Sequence, residues 1–98
     1  MAKYLKWTER ASEEYEKLFG YLLDEWGEQI ALKVMFELDQ TIGHIKESPE
    51  HYPIFKKSKK IRRCVASPQT SIFFRIEGDT VRISSVFDNR QNPRKLKL

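Results

Sequence analysis

The sequence predicts an α+β domain: an N-terminal strand, then an antiparallel helical hairpin packed on a mainly antiparallel four-stranded sheet. Three observations carry this. Two apolar stripes at three- and four-residue spacing follow one another with only Gly27 between them. Two stretches of alternating apolar and polar residues meet at Gly78-Asp79, a two-residue turn suited to antiparallel strands. The chain is 98 residues long and has no low-complexity or repeated segment, which is the size of one domain with one core, spanning residues 1–98.

Taken in order, Tyr4 to Trp7 alternates lysine with apolar residues and predicts a short strand. Thr8 can cap a helix over residues 9–26, with Glu9 in its first turn favoured by the helix dipole. Ala11, Tyr15, Leu18, Leu22 and Trp26 form its apolar stripe, and Glu13, Glu14, Glu16, Lys17 and Asp24 its opposite face. Gly27 is a natural stop. A second helix over 28–47 follows, with Ala31, Met35, Leu38, Ile42 and Ile45 as its stripe, ending near Ser48-Pro49. So short a link makes the two helices antiparallel, and their apolar faces need a second layer, which the sheet supplies. After a loop with two prolines, strands are expected near 60–66, 70–77 and 80–87.

The turn at Gly78-Asp79 sets a register in which Arg75 faces Arg82, Phe74 faces Ile83 and Ile72 faces Ser85. Ile72, Phe74, Ile76, Val81, Ile83 and Phe87 then share one face, to be buried against Leu18, Leu22, Leu38 and Ile42. On the other face Arg75 and Arg82 are directly opposite, and like charges so placed repel unless an anion neutralises them. Two readings of that face stand. Glu77 and Asp79 neutralise it on a solvated surface, or it takes an acidic partner or a phosphate.

The net charge is +4, and six of the eight residues in Lys56–Arg63 are basic, a footprint for phosphate or acidic peptide that a solvated loop also explains. The single cysteine, Cys64, excludes an internal disulfide framework and reads as a small buried thiol in a strand. His44 and His51 lack companion ligands, so no metal or cofactor is expected. No apolar run approaches membrane-spanning length, and the N-terminus lacks a signal core, so the expected compartment is the cytoplasm. There is no phosphate-cradling glycine loop and no serine hydrolase motif. Glu50 and His51 are the one local cluster with acid–base capacity.

The order of these features resembles the RelE/ParE toxin family of bacterial type II toxin–antitoxin systems, which act in plasmid stabilisation. The residues that carry the resemblance are Trp7-Thr8-Glu9-Arg10-Ala11, Ile61-Arg62-Arg63, Ile72-Phe73-Phe74-Arg75-Ile76 with Gly78-Asp79, and Val86-Phe87-Asp88-Asn89-Arg90. The likeness covers nearly the whole chain. It implies a toxin neutralised by a cognate antitoxin whose acidic or amphipathic C-terminal segment covers a concave, basic surface. Lys59, Lys60, Arg62, Arg75, Arg82 and Arg90 are the residues expected to meet antitoxin or target.

The family divides between ribosome-dependent mRNA endoribonucleases and poisons of DNA gyrase. Cleavage of mRNA by the ribose 2′-OH needs a base, a proton donor and cations around the phosphate. Here Arg62, Arg75 and Arg90 supply cations, while Glu50 or His51 would have to supply the acid–base pair. Ribonuclease members often carry an arginine where this chain has Ser71, and an aromatic or histidine in the tail, where Gln91 to Leu98 has neither. These departures point to the gyrase-directed, non-enzymatic class, with Arg90 as the residue whose loss most reduces toxicity. The alternatives are the endoribonuclease acting on ribosome-bound mRNA, a member that only binds its antitoxin, or a non-toxic RNA- or protein-binding module. Against an RNA platform, the exposed hairpin face offers only Phe73 as an aromatic near Arg75 and Arg82.

Overall fold

The computed structural model of the chain describes residues 2–98. Strand β1 (Tyr4–Trp7) leads into helices α1 (Glu9–Trp26) and α2 (Glu28–Glu47). After a 3-10 turn come β2 (Ile54–Lys56), β3 (Ile61–Ser67), β4 (Thr70–Glu77) and β5 (Thr80–Asp88). The strands form one sheet in the order β1-β5-β4-β3-β2, antiparallel except for β1 against β5. The hairpin-on-sheet architecture is the expected one, but with five strands rather than four. The extra strand, β2, lies within the loop after α2 and pairs with β3 through an irregular register. Three residues between a proline and a lysine run are too few for alternation to show in sequence.

The helices begin and end where their caps dictate. The Thr8 hydroxyl accepts from the Ala11 N–H at 3.1 Å, and the Gly27 N–H donates to the Leu23 carbonyl. Gly27 adopts φ +84°, a conformation costly for a side-chain-bearing residue, so it both stops α1 and redirects the chain into α2. The apolar stripes of both helices meet one side of the sheet. Leu22, Leu38 and Ile42 are buried there with Ile72, Phe74, Val81, Ile83 and Val86, and Leu18 borders them. Ile76, nearer the turn, is only half-buried. No helix is long and apolar enough to cross a membrane.

The hairpin register holds from Glu77↔Thr80 to Phe74↔Ile83, then shifts by one. Phe73 pairs with Ser85, Ile72 with Val86 and Ser71 with Phe87, which leaves Ser84 as the extra residue of a bulge. This corrects two expectations: Ile72 faces Val86 rather than Ser85, and Phe87 points away from the helices. Side chains alternate faces, so one inserted residue reverses every side chain beyond it.

The bulge lies where β5 loses its neighbour. Strand β1 pairs with Thr80–Ile83 only, and the Thr8 N–H adds one more bond to the Ile83 carbonyl. Beyond that point α1 covers the edge. Glu14 Oε1 accepts from the Val86 N–H at 3.1 Å and from the Ser85 hydroxyl at 2.8 Å. A carboxylate thus stands in for the carbonyl of an absent strand, which blunts an open sheet edge. Glu14 is therefore not part of a solvated helix face.

Candidate functional site

The side of the sheet away from the helices has an apolar half and a charged half. In the apolar half, Ile61, Phe73 and Phe87 form a second small core, against which Leu96 and Leu98 pack. Two contacts hold this tail down: the Arg10 guanidinium donates to the Lys95 carbonyl at 2.9 Å, and Lys59 Nζ donates to the Leu98 backbone oxygen. Phe73 is consequently only 2% exposed, and not the open aromatic expected of it. A run of alternating residues cannot reveal that the chain returns to cover its own outer face.

Beside this core, Arg63 lies 5.9 Å from the ring centres of both Phe55 and Phe73. Its Nε donates to the Ser71 hydroxyl, which in turn donates to Asn89 Oδ1 at 2.7 Å. Asn89 also donates its N–H to the Gln69 carbonyl, so the segment after β5 is stapled to the β3–β4 turn. Ser71 is fully buried and has both hydroxyl functions engaged.

In the charged half, Arg75 and Arg82 face each other in register, as expected. Glu77 lies between them, 2.7 Å from the Arg75 guanidinium and 3.7 Å from that of Arg82. Glu77 thus relieves part of the repulsion, and both arginines remain over 40% exposed. Of the lysine run, Lys57–Lys59 forms a 3-10 turn, and Lys60 takes the left-handed conformation (φ +54°) that lets the chain enter β3.

The remaining expected site residues are elsewhere. Arg62 pairs with Phe74 and so shares the helix side of the sheet, where its guanidinium donates to the Tyr52 and Glu50 carbonyls. It secures the loop after α2. Glu50 and His51 are exposed in that loop, whose Tyr52 packs edge-on against Phe74 in the main core. Cys64 is buried, and burial raises its thiol pKa, which keeps it protonated and unreactive.

Arg90 occupies a third place. Its Nε and Nη2 grip Asp88 at 3.0 and 2.9 Å, and its guanidinium lies 5.9 Å from the Tyr21 ring centre. The hydrogen bonds from Arg90 lower the Asp88 pKa and, in return, raise that of Arg90. The two residues border a groove of about 670 Å³ between α1, the start of α2 and the end of β5. Leu22 and Val86 line it from the core, and Trp26 and Ile30 are exposed to it. The six expected contact residues therefore do not form one patch. Arg75 and Arg82 share the outer face, Lys59 and Lys60 the turn that flanks it, Arg62 supports a loop, and Arg90 belongs to the groove.

Comparisons with known proteins agree with this architecture. The model of the family described as "ParE toxin of type II toxin-antitoxin system, parDE" matches residues 5–93. No curated protein sequence matches the chain. Among solved structures, the chromosomal ParDE toxin–antitoxin system from P. aeruginosa aligns with a TM-score of 0.76 at 17% identity. That alignment covers 87% of this chain and 94% of the other. The likeness in fold extends over strands and helices alike, and the family match spans both the sheet and the groove. The chain belongs to the ParE toxin family of type II toxin–antitoxin systems.

Proposed function

We propose that this toxin arrests bacterial growth by poisoning DNA gyrase, without chemistry of its own, and that a cognate antitoxin encoded beside it neutralises it. The observation that carries this reading is the separation of the residues a ribonuclease would need. Glu50 and His51 sit in the loop packed on the helix side, whereas Arg75 and Arg82 project from the opposite side of the sheet. A base and a cation acting on one phosphate must lie within hydrogen-bond reach of it. Ser71 adds weight, because it is fully buried and hydrogen-bonded on both sides, so the arginine of ribonuclease members has no place there without displacing Asn89 or Arg63.

For the antitoxin, the groove beside Arg90 suits an amphipathic segment. It offers exposed Trp26 and Ile30 for apolar anchors and charged side chains at Lys17 and Arg90. On the outer face, by contrast, the apolar half is already covered by Leu96 and Leu98.

The test is induction of the toxin alone in bacteria, followed by purified gyrase with supercoiled plasmid. The expected result is early chromosome breakage in the cells and protein-linked linear plasmid in the tube. Cleaved mRNA with an intact chromosome would transfer the reading to the endoribonuclease.

A further inference from the structure

We infer that the charged half of the outer sheet face is a binding site for the phosphate backbone of duplex DNA. Lys6 on β1 is in register with Arg82 on β5, which is in register with Arg75 on β4. Residues paired in register point to the same side, and neighbouring strands lie ~4.8 Å apart, so three cations stand in line over about 10 Å. One strand further, Arg63 pairs with Phe73 and faces the same way. Four adjacent strands thus each contribute one cation, and Glu77 is the one carboxylate paired with any of them. Among the described residues, neither Lys6 nor Arg63 has a carboxylate partner within ion-pair distance.

Such a row costs stability in the free protein, since like charges on neighbouring strands repel. A polyanion repays that cost. Two features favour a nucleic-acid backbone over an acidic peptide. The apolar part of the face is closed by Leu96 and Leu98, so a peptide finds no pocket for its anchoring side chains and meets charge alone. The cations are also borne on a rigid sheet, three of them as guanidinium forks of the kind that grip phosphate oxygens in pairs. Duplex DNA presents a negative charge every ~1.7 Å along its axis, so each cation meets a phosphate whatever the base sequence. The site makes sequence-independent contacts and positions the protein on DNA. This goes beyond the gyrase reading and does not rest on it, because the measurement needs neither gyrase nor antitoxin.

The experiment is fluorescence anisotropy of the intact toxin with a labelled 20-base-pair duplex between 50 and 200 mM salt. Four neutralised phosphates give a slope of about −3.6 in log K against log salt, at about −0.9 for each. Lys6→Gln and Arg82→Gln should each make the slope shallower by about 0.9. Glu77→Gln should tighten binding and leave the slope at least as steep. Lys33→Gln, a lysine on the exposed surface of α2, should change neither. Thermal melts of all four variants check that they fold, and Lys6→Gln alone suffices if Arg82→Gln does not. Absence of binding at 50 mM salt overturns the inference, as does a slope that Lys33→Gln alters as much as Lys6→Gln. Tighter binding of a poly-glutamate 20-mer than of the duplex overturns it in favour of an acidic peptide.

Discussion

Removing the Glu14 carboxylate tests whether α1 protects the edge of β5. Two donors converge on Oε1, the Val86 amide and the hydroxyl of fully buried Ser85. Hydrogen bonds to a charged acceptor are each worth ~1.5–3 kcal/mol net. The Glu14 side chain is 20% exposed, so water reaches one donor in its absence and recovers part of that. The ion pair with Arg10, at 3.7 Å and on a largely exposed partner, adds little. Glu14→Ala should therefore cost about 2–4 kcal/mol, and at ~4–8 °C per kcal/mol for a domain of this size the midpoint should fall by at least about 8 °C. Glu14→Gln keeps an acceptor and should lose about half as much. Circular dichroism melts measure both, with Glu13→Ala, one residue away and exposed, as a control expected to stay within ~0.5 kcal/mol. Hydrogen exchange gives a second reading, because the Val86 amide should lose protection in Glu14→Ala before its pairing partners do. A Glu14→Ala melt indistinguishable from that of Glu13→Ala would refute the edge-cover argument.

Phe87 is buried with Ile61 and Phe73 under the tail, so Phe87→Ala should cost about 3–5 kcal/mol, and deletion of Ser84, which returns Phe87 to the helix side, should abolish cooperative melting; a deletion variant that melts normally would show the bulge to be dispensable. Tyr15 is pushed up to about 12 by burial and by its hydrogen bond to Asp39, and an acid with a raised folded pKa stabilises fully below its unfolded value near 10. Stability should then fall from pH ~10 to about 12, a decline that Tyr15→Phe removes in alkaline denaturation curves. Arg90→Ala should leave the melting temperature unchanged at pH 7, since the pair with Asp88 is exposed, yet relieve growth arrest on induction. Continued arrest with Arg90→Ala, together with its loss in His51→Ala, would favour acid–base chemistry.

The helices, their caps and the hairpin turn were legible in the sequence because each is written over a few neighbouring residues. A stripe at three- and four-residue spacing needs no distant partner to be recognised, and Gly27 and Gly78 sit where positive φ is required. The helix-facing core followed from those stripes. The candidate site was less legible. Arg75 opposite Arg82 came from the turn, but the alignment of Lys6 with Arg82 depends on a parallel pairing between strands more than seventy residues apart. Arg62 and Arg90 lie as near to strands as the face arginines do, but alternation sends Arg62 to the helix side and the turn after β5 sends Arg90 to the groove.

Sequence alone therefore determined the two helices, four of the five strands, the hairpin-on-sheet architecture and most of the main core, all of them consequences of local periodicity and turn chemistry. Tertiary structure decided the rest. Ser84 becomes a bulge because β5 loses β1 as its neighbour and must take its remaining bonds from Glu14 on α1. Phe73 and Phe87 are buried because Leu96 and Leu98 come back across the outer face. In each case the deciding partner lies far along the chain, and no pattern within a few residues can report a contact made by closing so long a loop.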